Sequence, residues 1–192
     1  AQVGDYAPSV LAEARLAARV MADAGMEARR AQTVFFGGGT PTMLATGELI
    51  EILRGLDEAV GISEDAEVTL EANPDSVTRS GLRELAHAGF TRVSFGMQSA
   101  VPSVLRTLDR THAPNRVPLV VEWAKEAGLS TSLDLIYGTP GEGLTDWETS
   151  LRCALSYRPD HISAYALVVE EGTTMGRQVA RGELPTPDPD DE

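Results

Sequence analysis

The sequence predicts an α/β protein, a parallel sheet whose strands alternate with helices, and three observations predict it. Short β-branched and aromatic runs alternate with longer stretches of helical apolar spacing. The strand-like runs stop at turn residues such as Gly and Pro, and their ends recur at intervals of about 25 to 40 residues, the spacing of right-handed βαβ units. Five such runs are visible in 192 residues, whereas a complete eight-stranded barrel takes ~250. An incomplete barrel or a doubly wound open sheet follows, and both carry function at the C-terminal strand ends.

The elements follow in order. From Pro8 to Met26 the residues Val10, Leu11, Ala14, Leu16, Ala18, Val20 and Met21 recur at helical spacing, and Gly25 offers a stop. Thr33 to Phe36 is a strand that breaks off at Gly37-Gly38-Gly39-Thr40-Pro41. Glycines there let backbone amides approach a ligand without an intervening Cβ, and Pro41 stiffens the turn and keeps Thr40 out of a helix. The next helix starts near Thr46, with Leu49, Ile50, Leu53, Leu56 and Val60 as its apolar stripe. A second strand, starting at Glu67, carries Glu71 near its end and is stopped by Asn73-Pro74. Thr78 reads as the N-cap of a helix that Gly89 closes.

The third strand, Phe90 to Gly96, ends beside Met97-Gln98, and a short helix from Pro102 to Leu108 leads to Asp109-Arg110. A helix from Asn115 to Ala127 precedes the fourth strand, Thr131 to Ile136, where Asp134 sits in an apolar run, a costly place for a charge without a partner. A turn-rich loop from Tyr137 to Gly143 opens a helix at Thr145 with Trp147, Leu151 and Leu155 on its buried face. Asp160 to Val169 is the fifth strand, and a short helix spans Thr174 to Arg181.

Composition narrows the function classes. With 42% hydrophobic and 23% charged residues the chain has ordinary globular usage. A net charge of −13 argues against nucleic acid or an anionic membrane as partner. No apolar run approaches the ~20 residues that span a bilayer, and a cytoplasmic protein is the default. Cys153 is the only cysteine and, between Leu151 and Leu155, reads as a buried structural thiol in a reducing compartment.

The polar residues at the strand ends form a set: Gly38, Gly39 and Thr40 from the first, Glu71 from the second, Gln98 from the third and Asp134 from the fourth, joined by Arg110. One carboxylate and one guanidinium neutralise an amino-acid zwitterion, and an Asp with a Gln can hydrogen-bond a ribose diol. The set suits an aminoacyl nucleoside. Taken singly, Asp134 can cap a turn, Glu71 and Arg110 can pair with each other, and Gln98 can tie down a loop.

Five stretches in matching order and spacing, Phe36-Gly37-Gly38-Gly39-Thr40-Pro41, Leu70-Glu71-Ala72-Asn73-Pro74, Ser94-Phe95-Gly96-Met97-Gln98-Ser99, Leu108-Asp109-Arg110-Thr111-His112 and Asp134-Leu135-Ile136-Tyr137-Gly138, resemble the radical S-adenosylmethionine proteins of the oxygen-independent coproporphyrinogen III oxidase family. Gln98-Ser99 followed by Leu-x-Arg-x-His is more similar to the family's heme chaperone branch than to the oxidase. The resemblance implies a partial (β/α)6 barrel in which Gly38, Gly39 and Thr40, with Glu71, hold the amino end of S-adenosylmethionine. It gives Arg110 to the carboxylate, Gln98 and Asp134 to the ribose, and Ile136 and the backbone at Ala164 to the adenine.

It also implies a [4Fe-4S] cluster on three cysteines spaced Cys-x3-Cys-x2-Cys, which splits the cofactor reductively to a deoxyadenosyl radical. With one cysteine in the chain, the resemblance places that motif and the first barrel strand before Ala1. The expected organisation is a barrel core over 1–183 with its first strand missing, then an acidic Pro-rich linker or cut end over 184–192, inactive alone for want of cluster ligands. The expected function is that of a heme chaperone that binds heme or another tetrapyrrole and passes it to acceptor proteins. The alternatives are oxidative decarboxylation of coproporphyrinogen III and a phosphate-binding α/β barrel unrelated to S-adenosylmethionine. His112 reads as a loop-capping or partner-binding residue, with a porphyrin or iron role as its alternative, and His87 as a solvated helix position.

Overall fold

The computed structural model describes residues 6–27, 29–110 and 115–185. Its helices are α1 (Tyr6–Asp23), α2 (Thr46–Val60), α3 (Arg79–Ala88), α4 (Pro102–Thr107), α5 (Arg116–Glu126), α6 (Leu144–Ser156) and α7 (Thr174–Ala180). The strands are β1 (Ala31–Phe36), β2 (Ile62–Ala72), β3 (Arg92–Gln98), β4 (Ser130–Tyr137) and β5 (His161–Ala166). They form one sheet in chain order, β1-β2-β3-β4-β5, and every neighbouring pair is parallel. A doubly wound sheet reverses its strand order at a switch point. This one never reverses, so it curls as the arc of a barrel with its helices outside.

Alternation along each strand separates two faces. Val68, Leu70, Val93, Phe95, Leu133 and Leu135 pack outward with Leu49 and Leu53 of α2, Leu82 and Leu85 of α3, and Val117, Val120 and Val121 of α5. The intervening residues turn to the concave side. There Glu71 is level with Ser94, Gly96 with Asp134, and Ile136 with Tyr165. Complete barrels fill their interior with branched apolar layers. Polar residues take that place here, so the concavity is suited to a polar guest.

Local signals explain the element ends. Thr78 caps α3 by accepting the Gly81 N–H, and Gly89 ends it at φ 109°, a left-handed conformation that favours glycine. Strand β2 starts at Ile62 rather than Glu67, because Ile62 pairs with Ala31 before a register shift and its N–H donates to Asp57. Strand β5 stops at Ala166, short of Val169. Leu155, expected on the buried face of α6, is 57% exposed, and the neighbouring Ala154 takes the buried position. His87 is exposed, as expected. Most of the acidic tail, 186–192, and His112 lie outside the described residues. Among the described residues no strand pairs with the second edge of β1, and no helix is long and apolar enough to cross a membrane.

Candidate cofactor-binding site

The glycine turn is open where the sequence suggested a bare cradle. A Cβ on Gly38 or Gly39 would meet nothing within 4 Å, and Gly38 sits at φ 94°. Gly37 differs, since a Cβ there would run into the Phe35 ring and lie 3.3 Å from Glu71 Oε2. The Gly38 N–H favours the charged form of the Glu71 carboxylate on the neighbouring strand. Thr40, in extended backbone, donates its hydroxyl to the Gly39 carbonyl at 2.7 Å. Pro41–Met43 then forms a single 3-10 turn.

Two carboxylates face each other over β3. Ser94 Oγ lies 2.9 Å from both oxygens of Asp134, so its one proton is shared between them. Burial, then the charge of Asp134, pushes the Glu71 pKa above its ordinary value, and the Gly38 N–H opposes both. Gln98 has a left-handed backbone, φ 62°, at a register shift between β3 and β4, a strained conformation of the kind found at functional sites. Its side chain lies back over Gly96: a Cβ on Gly96 would come 2.7 Å from Gln98 Nε2. Gly96 therefore makes room for that amide.

Gly39, Thr40, Glu71, Gln98, Arg110, Asp134 and Ile136 line one cavity of about 290 Å3 at the C-terminal strand ends. Of the expected residues, Gly38 and Ala164 are not on its wall. Gly38 acts on Glu71, and Ala164, expected to contribute its backbone, is level with Leu135 and adjoins Tyr165, which does line the wall. Ser94, Gly96 and Asn73 also line it without having been singled out. Counting back by twos from Gly96 along β3 would have found Ser94. Exposed Arg110 brings the positive charge that opposes Glu71 and Asp134.

A metal cluster finds no ligands in this wall. Among the described residues no group of three or more His, Cys, Asp or Glu is placed to hold a metal ion. Cys153 is half-buried on α6, and its Sγ lies 2.9 Å from the Tyr157 hydroxyl. Burial, with that contact, pushes Tyr157 up to about 12. The thiol expected to be buried is thus only half-buried.

The sequence profile of the Radical SAM superfamily matches residues 7–154. The heme chaperone HemW of Mycobacterium tuberculosis is 44% identical over 191 residues, 99% of this chain and 49% of that protein. The mitochondrial radical S-adenosyl methionine domain-containing protein 1 of Bos taurus is 39% identical over 163 residues, 84% of this chain and 37% of that protein. Among solved structures, the radical SAM enzyme coproporphyrinogen III oxidase (HemN) from Escherichia coli superposes with a TM-score of 0.80 at 26% identity, covering 97% of this chain and 43% of that one. Elp3 from Methanocaldococcus infernus, at 22% identity and a TM-score of 0.70, shares the fold. The chain spans about half the length, or less, of the curated relatives it matches.

Proposed function

Because this chain belongs to the Radical SAM superfamily, we propose that its strand-end cavity holds S-adenosylmethionine and that the protein is of the heme chaperone branch, binding heme and delivering it to acceptor proteins. The observation that carries the chaperone reading is 44% identity to a heme chaperone along 99% of the chain. The cavity supports the cofactor reading independently, since cation, carboxylates and amide line one wall. Glu71 beside the open glycine turn at Gly38 and Gly39 suits an ammonium group, and Arg110 suits a carboxylate. Gln98 and Asp134 suit a ribose diol, with Ile136 and the backbone about Ala164 beside the base.

S-adenosylmethionine supplies a sulfonium that can be split reductively, and that step needs a [4Fe-4S] cluster for which the residues described here offer no ligand set. What these side chains do is bind, orient and set charge. A second reading, coproporphyrinogen III oxidase, draws support from the TM-score of 0.80, at the lower identity of 26%. A phosphate site is disfavoured by the two carboxylates, Glu71 and Asp134, in the same wall.

Heme titration of the full-length protein tests the chaperone reading. Saturable binding with a shifted Soret band, followed by transfer to an apo-haemoprotein, is the expected result. Failure to bind heme, together with turnover of coproporphyrinogen III, would contradict it in favour of the oxidase.

A further inference from the structure

Backbone pairing between β1 and β2 stops at Phe36 opposite Leu70. Beyond that point two links bridge the glycine turn and the Glu71 segment. One is electrostatic, between the Gly38 N–H and the Glu71 carboxylate. The other is Thr42, a buried side chain on the turn that follows Thr40.

Counting donors gives the direction of the second bridge. Ser76 Oγ donates to the Asn73 carbonyl at 2.8 Å. Its only proton is then used, so in the short Thr42–Ser76 hydroxyl contact Thr42 is the donor. The Thr42 oxygen in turn accepts the Asn73 N–H at 3.3 Å. The bonds close a ring: Asn73 N–H to Thr42, Thr42 to Ser76, Ser76 back to the Asn73 carbonyl. Bonds in such a ring polarise one another, and the backbone N–H and carbonyl of Asn73 are both satisfied. Asn73 lies two residues beyond Glu71 and lines the cavity.

We infer that Thr42 is a positioning residue for the cofactor site, its hydroxyl ring with Asn73 and Ser76 fixing the distance between the glycine turn and the Glu71 carboxylate that together receive the amino end of the ligand. The inference rests on the cofactor reading above for the ligand's identity, and on the hydrogen-bond ring alone for the clasp. Neither the adenine nor the ribose contacts depend on it, since Asp134, Gln98 and Ile136 are carried by β3 and β4.

The 192-residue chain is compared with Thr42→Val, which keeps the shape and removes the hydroxyl, and Thr42→Ser, which restores it. Two readouts are taken: amide hydrogen exchange at Asn73, and affinities for S-adenosylmethionine and methylthioadenosine, which lacks the amino-acid group. Thr42→Val is expected to speed Asn73 exchange about tenfold or more, because an N–H next to a buried turn loses its acceptor. It is expected to weaken S-adenosylmethionine about fivefold or more while methylthioadenosine changes less than about twofold. Thr42→Ser reverses both effects, and Ser76→Ala, which opens the same ring from its other side, reproduces them if Thr42→Val does not fold. Equal weakening of both ligands, or no rescue by serine, overturns the positioning role. If the unsubstituted chain binds neither ligand, the cofactor reading fails by itself, and exchange at Asn73 still decides the clasp: an unchanged rate overturns it.

Discussion

Replacing Phe95 by alanine is expected to destabilise the fold by about 3–5 kcal/mol. Phe95 is fully buried in β3, the middle strand of the sheet, within the cluster shared with α2, α3 and α5. Truncation removes the transfer energy of the ring and leaves a cavity that a parallel strand, tied to neighbours on both sides, cannot close. Against a total stability of about 5–15 kcal/mol, the loss threatens folding itself. Urea unfolding should show a lower midpoint with an unchanged slope. The site should loosen too, because Ser94 and Gly96 flank Phe95 on the concave side. A loss below about 1 kcal/mol would mean that β3 does not organise the core.

Asp134→Asn is expected to produce the largest loss of binding. A hydrogen bond from a ribose hydroxyl to a charged carboxylate contributes about 1.5–3 kcal/mol, so affinity for S-adenosylmethionine and for methylthioadenosine should fall together, by about 10- to 100-fold. Both ligands carry the ribose. The same substitution reports on Glu71, whose pKa is raised by burial first and by Asp134 second. A carboxyl with a raised folded-state pKa contributes stability below the usual glutamate range and loses it as pH rises through the raised value. Removing the Asp134 charge lowers the Glu71 pKa toward its ordinary position. The fall in melting temperature of the unliganded chain across that window should therefore be smaller in Asp134→Asn than in the unsubstituted chain. An unchanged pH profile would show that the two carboxylates do not sense each other.

The alternation of strand and helix was legible because Gly37, Pro74, Gly89 and Gly128 punctuate runs of clear period. Strand ends, which carry most of the site, were legible for the same reason. Parity was harder to read. Which of two adjacent residues faces the cavity depends on strand register, and Tyr165 of the short β5, which lines the wall, was not read from the pattern. The left-handed Gln98 adds a register shift that no periodicity announces. Thr42 gave no signal, because its role depends on Asn73 and Ser76, more than thirty residues away. Leu155 was misplaced because Ala154, too small to stand out in a hydrophobic pattern, occupies the buried position on α6.

The central claim, that the strand-end cavity receives S-adenosylmethionine with its amino-acid carboxylate at Arg110, is tested most directly by calorimetric titration of the chain and of Arg110→Ala with S-adenosylmethionine and methylthioadenosine. Arg110 is exposed, so its ion pair contributes about 1 kcal/mol. The predicted result is a loss of about five- to tenfold for S-adenosylmethionine in Arg110→Ala, with methylthioadenosine within about twofold of the unsubstituted chain. Equal loss for the two ligands, or no binding of either by the unsubstituted chain, would contradict it.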